Sequence, residues 1–145
     1  MMDDPGHEPR RRRLVRSVLA RHAGAAVDAT AVAAAAIRAY DDLAQVLAPV
    51  IGDAGVAAII DRALHLAARE HPWLPARVPG AADTRFAQVI DALKLQEPAA
   101  ATEAAASVFA AILGLLATFI GEPLAARLVQ QAWPDAVPSA DTEET

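Results

Sequence analysis

Asp61, His65 and Arg69 recur at four-residue spacing in a segment of helical pattern, and an imidazole flanked in this way could begin metal ligation or proton transfer. A helical metal site wants a further ligand at the right spacing, as in H-E-x-x-H, and none is present. The spacing fits an i, i+4 ladder of polar side chains on a solvated face. His71, in EHPWL, stands where a helix should end, and when protonated it would complement the carbonyl terminus. A haem ligated by His65 or His71 would want bulky aromatic walls, and the chain has three Phe.

Nucleophilic chemistry finds no better footing. A Ser or Thr nucleophile needs a base beside it. Ser17 and His22 are five residues apart and do not share a helix face, while Thr102, Ser107 and Thr118 have no His or Lys near them in sequence. The chain contains no cysteine, which removes thiolate catalysis, disulfides and Cys-ligated metals. No G-x-G-x-x-G or P-loop pattern occurs. No catalytic, cofactor-binding or metal-ligating residue is therefore assigned, and no cofactor is expected.

One polar run does stand out. Arg10, Arg11, Arg12, Arg13, Arg16 and Arg21 place positive charge on or before one short helix. Cations there oppose the helix dipole by a few tenths of a kcal/mol each, so they are not placed to stabilise the helix. Arg10, Arg11, Arg12, Arg13 and Arg16 are candidate contacts for an anionic partner. The competing reading is a solvated end, partly neutralised by Asp3, Asp4, Glu8 and the acidic tail with Asp141, Glu143 and Glu144. A formal net charge of −5 and only 4% aromatic residues disfavour nucleic acid, which needs cationic surface and stacking platforms.

The elements that carry these residues are helical. The chain is 54% hydrophobic, mostly Ala, Val, Leu and Ile, and shows no convincing alternation of apolar and polar residues. At 145 residues it fits one domain with a real core. Residues 1–9 read as a disordered tail, 10–135 as a helical domain and 136–145 as an acidic tail. Helices are expected at about 10–22, 31–51, 54–70, 84–95, 98–120 and 122–133. The connector at 72–83 holds three prolines, Pro72, Pro75 and Pro79, and Gly80.

VLAPVIGDAGVAAIIDRAL (46–64) and LLATFIGEPLAARLVQQAW (115–133) repeat one another sixty-nine residues apart. Identities fall at Leu47/Leu116, Ala48/Ala117, Ile51/Ile120, Gly52/Gly121, Ala57/Ala126 and Ala63/Ala132. The Ala pairs carry little weight; Ile-Gly-Asp against Ile-Gly-Glu carries most. Each copy offers an apolar helix end, a glycine able to take positive φ, and an acid opening the next helix. Gly52, Asp53, Gly121 and Glu122 are thus the expected structural turns, with Asp53 capping the third helix. Val15, Val18 and Leu19 match Phe86, Val89 and Ile90 with a two-residue shift. The expected fold is all-α, a compact bundle of five or six helices in two similar three-helix halves, about 10–71 and 84–135.

From Ala104 to Gly121 no residue is charged, the lower limit for a membrane span. Its counterpart carries Arg38, Asp41 and Asp42 and is expected not to span. A buried central helix is the expectation, the membrane is disfavoured, and the basic start lacks the apolar run of a secretory signal. The expected setting is the cytoplasm. Only Lys94 among thirteen basic residues is a lysine, a bias suggesting a GC-rich bacterial genome.

TFIGEPLAARLVQQAWPDA (118–136) and LHLAAREHPWL (64–74) resemble short Ala- and Arg-rich bacterial proteins with an F-I-G-E…R-L…A-W-P ending and no known activity. The resemblance covers about a third of the chain and implies a helical bacterial family; it carries over no site residue.

The leading functional expectation is a non-catalytic module that binds another protein, with a homodimer as one form of that. The alternative is a small-molecule or lipid-binding bundle with a pocket between the halves, near Trp73, Phe109, Phe119 and Trp133.

Overall fold

The computed structural model describes residues 7–23, 28–75 and 82–134. Among them it is all-α, with five helices: α1 (His7–Ala23), α2 (Ala29–Glu70), α3 (Ala82–Lys94), α4 (Pro98–Ile120) and α5 (Glu122–Ala132). α1 begins before the expected Arg10, because Pro9 is compatible with a first helical turn, where its missing N–H is no loss. Residues 7–9 are therefore helix rather than tail. The acidic tail and residues 76–81 of the connector lie outside the described residues.

The second and third expected helices are both present, joined without a loop at Gly52 and labelled together as α2. Gly52 takes φ 80°, ψ 163° inside α2, and Gly121 takes φ 94°, ψ 150° between α4 and α5. Both lie in a region that only glycine enters readily. The glycines, not the acids, therefore occupy the capping positions. Asp53 and Glu122 follow them as the first helical residues, where a carboxylate suits the macrodipole.

Registers on either side of the breaks agree. The arm of α2 before Gly52 starts after Asp28, whose Oδ1 accepts from the Ala31 amide at 2.8 Å. α4 starts sixty-nine positions on, after Glu97, with Pro98 in its first turn. Tyr40, Leu43 and Leu47 are buried, as are their counterparts Phe109, Ile112 and Leu116. Beyond the breaks, Val56, Ile59, Ile60, Ala63 and Leu64 are buried, and so are Ala125, Leu128, Val129, Ala132 and Trp133. These correspondences support a reading of two related halves.

The halves differ in how their long helices are covered. On α4, Ala106, Ser107 and Ala110 are also buried, whereas the matching Ile37, Arg38 and Asp41 on α2 are exposed. α1 makes the difference. It packs on both α2 and α4, and runs along α4 in the opposite sense, Arg16 meeting Glu103 while Arg11 lies over Gly114. Val15, Val18 and Leu19 bring its second half into the core. α3 places Phe86, Val89, Ile90 and Leu93 in the same core, largely against α2.

Both α2 and α4 contain windows apolar enough to cross a membrane, with mean hydropathy 1.8 and 2.0. The arm of α2 before Gly52, with Arg38, Asp41 and Asp42, does not by itself hold such a window. Any such window of α2 with no more than two charged residues includes the Gly52 break. Within the bundle, 56% of the α4 window is buried, against 28% for α2.

Candidate functional site

α1 brings its arginines against three other helices. Arg11 Nη2 lies 2.8 Å from Glu122 Oε2 on α5, Arg12 Nη2 lies 3.1 Å from Glu70 Oε2 at the end of α2, and Arg16 Nη2 lies 2.9 Å from Glu103 Oε1 on α4. Arg10 and Arg13 are exposed. Of the five candidate anion contacts, three are therefore engaged within the chain. Of the expected neutralising residues, Asp3, Asp4, Asp141, Glu143 and Glu144 lie outside the described residues, as does the side chain of Glu8. Neutralisation of the described part comes instead from acids 58 to 111 positions away in sequence, a relation that no local pattern encodes. Such half-exposed pairs contribute about 0.2–1 kcal/mol each. They offset charge that would otherwise oppose the α1 dipole.

Glu70 is the most connected of these acids. A carboxylate on the last residue of a helix faces the negative end of the dipole, an unfavourable position. Three neighbours compensate. Ser107, buried at 3% exposure, donates its hydroxyl to Glu70 Oε1 at 2.9 Å; Arg12 binds both oxygens; His71 Nε2 approaches Oε1 to 3.9 Å. Partial burial pushes the carboxyl pKa upward, but the Ser107 bond, the Arg12 charge and bond, and His71 outweigh it and hold the group below its usual value.

The arrangement has the ingredients of a Ser–acid–His set in the wrong order. Ser107 donates directly to a carboxylate held in its charged form, a weak base at neutral pH, and the contact His71 makes is with that same carboxylate oxygen, at 3.9 Å. Nucleophilic activation needs a base that takes the hydroxyl proton, oriented by the acid behind it. What the cluster does is hold Arg12 and the end of α2 against α4. Sequence reasoning missed it because it weighed Ser107 only against its neighbours in the chain.

His65 sits in a simpler setting. Its Nδ1 lies 2.9 Å from the Asp61 carbonyl oxygen and 3.9 Å from Asp61 Oδ1, within one helix. Among the described residues no three His, Asp or Glu side chains gather as a metal site would require.

The structure does not bring the four expected pocket residues together. Phe109 and Trp133 are buried with ring centroids 6.0 Å apart, and belong to a chain of rings that continues through Phe86 to Tyr40. Trp133 Nε1 donates to the Ala39 carbonyl at 3.2 Å, which satisfies the indole in the core. Trp73 is half-buried against His71, and Phe119 is 66% exposed. Helix geometry explains the dispersal: Phe119 lies ten residues beyond Phe109, roughly 80° around α4 and about 15 Å further along it, at the helix end.

Open space lies instead on either side of Arg11. One cleft, of about 220 Å³, runs between α1, α4 and the end of α2 and includes Arg11, Arg12, Glu70, Ser107 and Gly114. The other, of about 270 Å³, runs between α1, α4 and α5 and includes Arg10, Arg11, Leu14, Leu113, Glu122 and Val129. Both arise because the first half of α1 carries arginine where its second half carries Val and Leu, and because the α4 face below offers Ala and Gly. Short side chains cannot fill the gap under long, charged ones. A Cβ on Gly114 would come within 3.3 Å of Arg11 Nη1, so the glycine gives the guanidinium its place.

No protein-family model matches the chain, and no curated protein or solved structure matches it either.

Proposed function

We propose that the chain is a non-catalytic helical module that binds another protein in a regulatory or scaffolding role. The observation that carries this reading is the exposure of Phe119, 66%, together with that of Val50, 48%, its counterpart in the first half. Each stands one residue before the isoleucine of an Ile-Gly break, and the core is complete without either. Covering what remains exposed of one such side chain is worth roughly 0.7–2 kcal/mol, which a partner can recover. The net negative charge and the internal pairing of Arg11, Arg12 and Arg16 argue for a protein partner over nucleic acid. A cytoplasmic bacterial setting accords with the arginine bias, and burial within the bundle of most of the apolar α4 window accords with a role away from the bilayer.

The test compares affinity capture from native lysate by the wild-type chain and by Phe119→Ser, at low and high salt. One stoichiometric protein held at high salt by the wild type and lost with Phe119→Ser is the expected result. Identical capture by both chains, or none by either, overturns the role of this surface. Sedimentation of the purified chain shows whether the partner is a second copy.

A second reading, a small-molecule binding bundle, is favoured by the cleft between α1 of the first half and α4 and α5 of the second.

A further inference from the structure

We infer that the cleft between α1, α4 and α5 binds the carboxylate of a small amphipathic monoanion, with an unbranched chain of about eight or nine carbons as the fitting body. The inference rests on the small-molecule reading and is independent of protein binding.

The lining divides by chemistry. Leu14, Leu113, Ala117, Ala125 and Val129 make an apolar floor, while Arg10, Arg11 and Glu122 stand around it. Two guanidinium groups less one carboxylate leave a single positive charge, which suits a monoanion. A dianionic phosphate would bring a second charge against the Glu122 oxygens. Arg11 is held in place before any ligand arrives: its side chain is 11% exposed, it sits over Gly114, and Nη2 is fixed on Glu122 at 2.8 Å. A guanidinium has five donors in a planar fork, so this one bond leaves it able to bind further oxygens. Arg10 is exposed at the mouth and forms no ion pair among the described residues.

Size sets the body. The cleft's volume of about 270 Å³, at roughly 30 Å³ per water-sized group, holds on the order of nine such groups. Its sides are open to solvent, so binding should be weak and fast. The neighbouring cleft is the poorer candidate, because Ser107 and Arg12 there are already committed to Glu70.

The experiment titrates the full chain with octanoate, octylammonium and 1-octanol, each below its aggregation limit, by calorimetry and by amide chemical shifts. Two variants accompany it. Ala126→Trp fills the cleft from an exposed position on α5 that contributes nothing to the core, and Arg10→Ala removes the outer cation. Expected are millimolar or tighter octanoate binding that moves the Leu14 and Val129 amides, loss with Ala126→Trp, and weakening of about threefold with Arg10→Ala or in high salt. Octanol or octylammonium binding as well as octanoate, with loss in Ala126→Trp, keeps the cleft as a ligand site but overturns the carboxylate. Octanoate binding unchanged by Ala126→Trp overturns the location. Absence of binding by all three probes overturns both the inference and the small-molecule reading behind it. Because Ala126 and Arg10 are both exposed, unchanged far-ultraviolet dichroism is expected of both variants, and Arg10→Ala carries the test alone if Ala126→Trp does not fold.

Discussion

Replacing Gly52 or Gly121 by alanine isolates one physical cause, backbone conformation. At Gly52 no atom lies within 4 Å of an added Cβ, and at Gly121 the nearest is Pro123 Cδ at 3.9 Å, an ordinary contact. Crowding therefore contributes nothing. What remains is φ of +80° or +94° with an extended ψ, a conformation that costs a residue bearing a Cβ about 1–3 kcal/mol. For a domain near this size, with roughly 2–4 °C of Tm per kcal/mol, each substitution should lower Tm by about 2–12 °C. Alanine could escape the strain only by straightening the break. At Gly52 that would gain up to ~1 kcal/mol of helix propensity but would swing Val56, Ile59, Ile60 and Leu64 out of the core, a larger loss. The assay is thermal unfolding followed by circular dichroism, with D-alanine placed at position 52 by semisynthesis as the control. For a D residue the same backbone is the mirror of an ordinary extended one, so its stability should stay at or above that of the wild type. Wild-type Tm in both L-alanine variants would refute the reasoning. So would equal losses with D- and L-alanine, because the cause would then be the side chain rather than the backbone.

Three further outcomes are expected. Glu70→Ala should destabilise the fold by about 1–3 kcal/mol, more than Ser107→Ala, because it leaves a buried hydroxyl without its acceptor, whereas half-exposed Glu70 can turn to water once Ser107 is gone. Since the Glu70 carboxyl is held below its ordinary 4.5, its contribution is fully present above that value and fades as pH falls through the lowered folded value; the stability difference between wild type and Glu70→Gln in chemical denaturation should therefore shrink as pH falls below that ordinary value, and parallel curves would contradict the assignment. Finally, the overexpressed chain should stay in the supernatant after ultracentrifugation without detergent, with α4 inside its bundle; extraction by detergent alone would make α4 or α2 a membrane segment.

Much of the architecture could be read along the chain. Ala-rich windows, Pro98 in a first turn and the Ile-Gly-acid phrase at 51–53 and 120–122 imply helices and two breaks, because propensity, caps and positive-φ glycine act over a few residues. The apolar spacings of Val15, Val18 and Leu19, and of Phe86, Val89 and Ile90, likewise mark the buried faces of α1 and α3, because helix periodicity is local. Gly52 and Gly121 take nearly the same dihedral angles, so both breaks fall at the glycines where the repeat places them. Tertiary structure alone decided where charge and space lie. Glu70, Glu103 and Glu122 meet Arg12, Arg16 and Arg11 only because α1 crosses α4, and a pairing between residues so far apart leaves no periodic trace. The same crossing opened the clefts beside Arg11, while the separate positions of Trp73, Phe109, Phe119 and Trp133 follow from the helix ends and faces that carry them. Helices are dictated by neighbours in sequence; a cleft is the volume that distant side chains fail to fill.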